Sequence, residues 1–388
     1  MNKQFITILL FLIVLQANAQ PQTSKDRIKN LMATGTIDFL SDKEKSMQAF
    51  NEVLKIDSNY SMAYYMRGQC YYALNMPVQA IEDFNRVIKL DPTNAKAYAL
   101  KGVVYTDFLD YYNALRSYNM AVTLAKDQGN YYYSRGYVQL KMENFWYAVK
   151  DFEKAIDLGY KEKQVYYWMG FCYVILHDFP NAVVNLQIAN EIGQRDADIY
   201  YYLGYSKMYL LEWDNALKDL EMAVNFDPAY APAYFTKGYI YLHKQDFQRS
   251  VAAYTTGLQL TPGIARGHVN RGLAYQSLSM EAEALKDYEM AVLIDPKYAE
   301  AYLHRSKIWE KQQAYKKALA DLEKYTILKP EDMIALYARG RMKLYNNDGT
   351  GACKDFRDAA LKGNEQAIIA VEEICSKIDV NTDQEINK

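Results

Sequence analysis

The segment Ser61–Asn94, SMAYYMRGQCYYALNMPVQAIEDFNRVIKLDPTN, recurs along the chain at a fixed interval of 34 residues, with no insertion or deletion. With Ser61 as position 1, position 8 is Gly68, Gly102, Gly136, Gly170, Gly204, Gly238, Gly272 and Gly340, interrupted only by Ser306. Position 20 is Ala80, Ala114, Ala148, Ala182, Ala216, Ala284, Ala318 and Ala352, with Ser250 as the exception. Position 4 is Tyr64, Tyr98, Tyr132, Tyr166, Tyr200, Tyr234 and Tyr302, with His268 and Leu336 departing. A strict period of this length marks an architecture of stacked supersecondary units.

The spacing has a physical reading. Apolar residues at 4, 8 and 11 share one stripe of a helix, and those at 20, 24 and 27 share one stripe of a second. Glycine at 8 and alanine at 20 have almost no side chain, so helices A and B of a repeat can approach closely there. Aromatic residues at 4, 11 and 24 fill the space on either side. Pro92, Pro228, Pro262, Pro296 and Pro330, at position 32, end helix B, because proline cannot continue a helix without losing a backbone bond.

This pattern of aromatic–Gly–Tyr, Ala–aromatic–Ala and terminal proline resembles the tetratricopeptide repeat. The resemblance runs from Arg27 to about Gln366, although the first repeat keeps only Phe50 and Val53 clearly. It implies an all-α fold, a right-handed α-solenoid of about ten helix-turn-helix repeats that binds protein or peptide partners.

In chain order, residues 1–19 read as a secretory signal peptide: Lys3, an apolar run from Phe5 to Leu15, and Ala17-Asn18-Ala19 before Gln20. The run is too short for a membrane span, and no other approaches that length. Residues 20–26 read as a short linker, 27–366 as one continuous array, 367–378 as a helix capping the last repeat, and 379–388 as a disordered tail. The middle repeats soften the pattern, with Lys126, Tyr160 and Gln194 at position 32; glycines nearby suggest left-handed caps in place of proline. The expected location is outside the cytoplasm, periplasmic or secreted.

Several function classes are disfavoured. The formal charge is -2, and removing Lys3 with the leader makes it -3, far from the basic balance that nucleic acid selects. His177, His243, His268 and His304 show no metal spacing, and no catalytic or phosphate-binding motif is present, so neither an enzyme nor a metal or other cofactor is expected. Cys70 and Cys172 share position 10 three repeats apart and read as buried, reduced thiols. Cys353 and Cys375 fall on helices that should pack side by side, where either a disulfide or two buried thiols would fit. Arginine at position 7 (Arg67, Arg135, Arg271, Arg305, Arg339) coincides with aspartate at 23 (Asp83, Asp151, Asp287, Asp321, Asp355), which argues for an ion pair inside each repeat rather than a basic ladder for an acidic ligand. Asp219, facing Leu203, breaks the rule.

Tyrosine is the compositional outlier, at 37 of 388 residues. Positions 5, 9 and 12 lie about 100° round helix A from the packed stripe. In tetratricopeptide arrays that neighbouring stripe lines the ligand groove. Here it carries Tyr65, Tyr133, Tyr167, Tyr201 and Phe235 at position 5, and Tyr137, Phe171, Tyr205 and Tyr239 at position 9, with Tyr72 and Tyr209 at 12 and 13. Past Gly267 the rows turn mostly to Val269, Leu273, Leu303, Lys307 and Glu310. The reading is a groove for a peptide or protein segment, with Tyr167, Tyr201, Tyr205 and Tyr239 as one patch; tyrosine rings also suit stacking on sugars or cell wall. The lysine and asparagine pattern of the carboxylate-clamp members is missing from this stripe. By circular dichroism the helical content should be well above half, and substantial β-structure would refute the repeat reading.

Overall fold

A computed structural model describes residues 23–193 and 196–377. Among these residues there is no strand; twenty-one α helices succeed one another, and the two of each repeat pack antiparallel. The first ten are α1 (Ser24–Ser41), α2 (Lys43–Ile56), α3 (Ser61–Ala73), α4 (Pro77–Leu90), α5 (Ala95–Asp107), α6 (Tyr111–Leu124), α7 (Gly129–Lys141), α8 (Phe145–Asp157), α9 (Lys163–Ile175) and α10 (Phe179–Ile192). The next ten are α11 (Ala197–Tyr209), α12 (Trp213–Phe226), α13 (Ala231–His243), α14 (Phe247–Leu260), α15 (Ala265–Ser277), α16 (Glu281–Ile294), α17 (Ala299–Lys311), α18 (Tyr315–Leu328), α19 (Met333–Tyr345) and α20 (Gly349–Leu361). Last comes α21 (Glu365–Ala370), which runs into a π-helical turn, Val371–Cys375.

The sequence reading takes the array as one continuous domain. The described residues divide into two compact bodies, 23–193 and 196–377. The division falls in a turn without proline, where α10 stops at Gly193 in extended backbone (φ -136°). Of the glycines offered as substitute caps, Gly159 fits the role, at φ +87° with its N–H bonded to Ile156 and that of Tyr160 to Ala155. Asp127–Asn130 forms its turn without a left-handed glycine. The helix α1 begins at Ser24, capped by Thr23 Oγ1, so three residues read as linker are helical. The capping helix starts at Glu365. Residues 20–22 of the linker, the leader and the tail lie outside the described residues.

Within each repeat the turn from helix A to helix B uses a device that composition hides. Position 15 is Asn75, Leu109, Glu143, His177, Leu211, Gln245, Ser279, Gln313 and Asn347, and all nine have φ between 58° and 64°. Position 16 then bonds back to the carbonyl of position 11, as from Asp110 to Tyr105 at 2.8 Å. This is the left-handed helix ending normally given to glycine, filled here by other residues. Four of the turns between repeats use an aspartate at position 31, whose carboxylate accepts the N–H two residues on; Asn59, Thr93, Ala229 and Lys297 are held so. Tyrosine at position 4 then fastens the same turn: the hydroxyls of Tyr64, Tyr234 and Tyr302 donate to the carbonyls of Ser58, Pro228 and Pro296. His268, which departs from the row, keeps the contact through Nε2 to Pro262 O at 3.1 Å.

The position-7 arginines are structural. Arg67, Arg135, Arg271, Arg305 and Arg339 each grip their aspartate with two nitrogens, Nε at 2.7–2.9 Å and Nη2 at 2.5–2.7 Å. In three of them Nη1 also crosses to position 25 of the preceding repeat: Asn51, Asn119 and Thr255. The lysines at position 7 keep the crossing, Lys101 to Asn85 and Lys237 to Glu221. Asp219, which lacks an arginine, is paired with Lys207 from position 11 at 2.6 Å. At Asp287 burial alone would raise the carboxyl, but hydrogen bonds from Arg271 and His268 outweigh it and hold it below its ordinary range.

At the C-terminal end Cys353 of α20 and Cys375 are joined as a disulfide, tying the π-helical turn to the last repeat. Cys70 and Cys172 are free and buried.

Two outcomes follow from this packing. Leu109 is 70% exposed and left-handed. Leu109→Gly should therefore raise stability by about 1 kcal/mol, the steric penalty of an L-residue there less the chain entropy of glycine; a lower urea midpoint would contradict the strain account. Arg135→Ala leaves Asp151 buried without its partner and should lower stability by about 2 kcal/mol, as for hydrogen bonds to charged groups. Unchanged stability in thermal melts would show that the pair contributes nothing.

Candidate binding site

The aromatic rows fall into two clusters, one in each body. In the first body Tyr133 packs against Phe152 (ring centroids 6.0 Å apart) and Tyr160 (5.3 Å). Trp168, at position 6 and absent from the rows singled out by the sequence, gathers Tyr137 (5.7 Å), Tyr167 (4.7 Å) and Phe171 (6.1 Å) around itself. The ammonium of Lys141 sits over both Tyr137 and Trp168. Tyr65 stands apart from these rings, edge-on to Phe84. Tyr72 donates to Asp107, and burial raises its phenol to about 12.

In the second body the same rows border a cavity of about 660 Å³ between α11, α13 and α15. From α11 come Tyr201, Tyr205, Met208 and Tyr209, and from α13 Ala231, Pro232, Phe235, Thr236 and Tyr239. Tyr254 of α14 and Arg266, Gly267 and Asn270 of α15 contribute, with Thr261, Ile264 and Tyr298 from the turns. Five expected site residues, Tyr201, Tyr205, Tyr209, Phe235 and Tyr239, thus meet at one place. Tyr167 belongs to the first body and is not among the lining residues.

Helical spacing explains the convergence. Positions 5, 9 and 13 of α11 are four residues apart, so Tyr201, Tyr205 and Tyr209 stand in one column, with centroids 5.8 Å and 5.0 Å apart. The Tyr205 and Tyr209 hydroxyls are 3.4 Å apart. Tyr201 also touches Tyr230 (5.3 Å), and Tyr239 packs on His243 (4.2 Å). Phe235 needs glycine opposite it: a Cβ on Gly267 would lie 2.7 Å from its ring, and one on Gly257 3.1 Å. The Asn270 amide donates to the Tyr254 hydroxyl at 3.0 Å.

Burial pushes the phenols of Tyr201 and Tyr205 upward, the second also through its hydrogen bond with Tyr209, so both keep their protons at neutral pH. No aspartate or glutamate lines the cavity, and Arg266 is its single charged residue. The site offers ring faces, protonated hydroxyls and amides, and one guanidinium. Among the described residues no group of three or more His, Cys, Asp or Glu could hold a metal ion, and no helix is long and apolar enough to cross a membrane. His304, stacked on Tyr288, is pushed down to about 4 by burial and the nearby Lys307, and is neutral at physiological pH.

The sequence reading misses positions 2 and 6, which supply Pro232, Arg266, Thr236 and Asn270. The signal was available, because 2, 5, 6 and 9 are three or four residues apart and share a helix face. The sequence reading has the rows turn aliphatic past Gly267, beginning with Val269 at position 5 of the eighth repeat. Val269 is 2% exposed and belongs to a core cluster with Tyr288 and Ala284, on which Leu273 packs.

Comparison with known proteins agrees with the fold. Tetratricopeptide-repeat family models match residues 61–94, 231–263 and 265–298. No curated protein matches the sequence. Among solved structures, the C-terminal part of a TPR repeat-containing protein from Cytophaga hutchinsonii aligns at 17% identity and a TM-score of 0.54, over 62% of this chain and 99% of its own. YrrB, described as a TPR protein with an unusual peptide-binding site, aligns at 23% identity and 0.43, over 49% of this chain and 97% of its own. Yeast Tom70 aligns at 14% identity and 0.41, over 94% and 100%. Three segments of the chain thus match tetratricopeptide-repeat models, and the paired helices of the other described repeats follow the same 34-residue period.

Proposed function

We propose that the protein is a non-catalytic scaffold that holds a segment of a partner protein in the aromatic cavity of its second body. The observation that carries this reading is the convergence of Tyr201, Tyr205, Tyr209, Phe235 and Tyr239 on one cavity. Its volume of about 660 Å³ lies within the range of about 300–1,000 Å³ typical of ligand sites. Tyr209 and Tyr239, 49% and 42% exposed, present ring faces at the rim, while Tyr201 and Tyr205 lie deeper. Large aromatic surfaces with one hydroxyl each give contact area at low entropic cost, which suits recognition of a peptide. The repeats themselves favour protein partners over other ligands.

The same reading places the protein outside the cytoplasm, in the cell envelope or secreted. The Cys353–Cys375 disulfide supports this, because such bonds persist in oxidising compartments.

The test pans a random peptide library displayed on phage against the full chain and measures the enriched peptides by anisotropy. Truncation of central aromatic anchors is often worth about 2 kcal/mol or more. Tyr201→Ala with Tyr205→Ala should therefore weaken these peptides by roughly tenfold or more, with the helical signal intact. The matched control is Tyr112→Ala, a tyrosine 74% exposed in the first body, which should leave binding unchanged. Equal binding by the double variant, or enrichment on oligosaccharides but on no peptide, would overturn the reading.

A further inference from the structure

The cavity is walled on one side by the turn between α14 and α15, of which Thr261 and Ile264 line the space. This turn lacks the fastenings found at others of its kind. Position 31 is Thr261, where four other repeats place the clasping aspartate. Ile264, which precedes α15, gives that helix no side-chain cap. Position 4 is His268 in place of tyrosine. Among the described residues, the bond between His268 Nε2 and the carbonyl of Pro262, at 3.1 Å, is the one side-chain hydrogen bond that reaches this turn.

The ring is set between two acceptors. Nδ1 lies 2.9 Å from Asp287 Oδ1 of α16, and Nε2 faces the Pro262 carbonyl. A carboxylate and a carbonyl only accept, whereas neutral imidazole has a single N–H and imidazolium has two. The ring therefore satisfies both neighbours only when it is charged. Asp287 is gripped by two nitrogens of Arg271 and stays ionised, so its bond to Nδ1 is charge-assisted and the stronger of the two. When one proton leaves, it leaves from Nε2, and two lone pairs then oppose each other at Pro262. Among the described residues, the charged groups bonded to the ring or to its partner are two. Asp287 from α16 attracts the imidazolium and Arg271 on α15 repels it, while the turn presents only the carbonyl. Tyr64, Tyr234 and Tyr302 make the equivalent bond with a phenol, a group that stays protonated at neutral pH.

We propose that His268 fastens the cavity wall in a proton-dependent way, so that the site holds its partner more tightly on the acid side of neutrality. Charged, the ring ties the turn to α15 and α16; neutral, it lets the turn loosen, and the wall with it. Histidine is the side chain that changes charge between about pH 5 and 8. The fastening is thus present at the lower end of that range and lost as pH rises through it. The link to binding rests on the partner-segment reading above, whereas the fastening of the turn does not.

Backbone amide exchange on the full-length protein reads the fastening without any ligand, near pH 5.5 and near pH 8, with the intrinsic chemistry of exchange divided out. The amides of Thr261, Gly267 and His268 report on the turn, since they bond to the carbonyls of Gly257 and Ile264. In the wild type they should exchange roughly fivefold faster at the higher pH, the effect of one lost hydrogen bond. The turn at Pro296, tied by Tyr302, should stay constant. His268→Tyr, the residue of most other repeats, should give slow exchange at both pH values. His268→Phe, which fills the same space without a donor, should give fast exchange at both. Phage-selected peptides without titratable side chains should bind the wild type roughly threefold more tightly at the lower pH, and His268→Tyr equally at both. Protection that does not change with pH in the wild type would overturn the proposal, as would a pH dependence that survives in His268→Tyr. So would a turn that loosens while peptide affinity stays constant. If the turn loosens and no peptide is captured at either pH, the fastening stands and the peptide reading falls.

Discussion

Each repeat is assembled around a side chain seated where another is missing. A Cβ on Gly68, Gly102, Gly136, Gly238, Gly272 or Gly340 would lie 2.6–2.8 Å from the ring at position 24. In the fifth and sixth repeats a leucine takes the ring's place, and the same Cβ would lie 2.7 Å from Leu186 or 2.6 Å from Leu220. No real carbon tolerates such a distance, so the hydrogen of glycine sets how far helix A and helix B can close. The small residue at 20 is less the partner of this glycine than the alternating motif suggests; the contact is mainly with position 24. Where the glycine is lost, at Ser306, position 24 is Leu322 rather than a ring, and the serine hydroxyl is taken up by the carbonyl of Leu303.

Closure at that point brings the rest within reach. Position 7 meets position 23 across the helix pair, giving the arginine–aspartate grip, and its remaining nitrogen extends to position 25 of the repeat before. Tyrosine at 4 reaches the carbonyl at 32 of the same preceding repeat. Packing within a repeat and fastening between repeats therefore share residues, and a single repeat would leave the acceptors and half of its apolar surface without partners. This is why such chains are stable as arrays and not as isolated hairpins.

The period, the glycine and alanine rows and the arginine–aspartate pairing were legible in the sequence because each is the same contact made many times. Asp219 looked like an exception only because its partner, Lys207, comes from position 11 instead of 7. Position 15 was not legible. Its nine residues share a backbone conformation and no chemistry, so nothing in the side chains announces the left-handed turn. The division at Gly193 was also hidden, since the missing proline reads as a local variation and the register continues through it. At the site, the rings on rows 5 and 9 could be read, but Arg266 and Asn270 could not be weighed until α15 was seen to border the same space.

The two aromatic clusters differ at position 6, which lies beside rows 5 and 9 on the same helix face. In the ninth helix that position is Trp168, whose ring touches Tyr137, Tyr167 and Phe171 and fills the room between them. In α13 and α15 it is Thr236 and Asn270, far smaller, while the rings at 5 and 9 remain large. Gly267 removes one more side chain and lets Phe235 lean toward α15, so the walls are held apart by rings but nothing occupies the middle. Val269 at position 5 is drawn into the core and no longer reaches the opening. The same aromatic rows thus give an interlocked cluster in one body and an open site in the other.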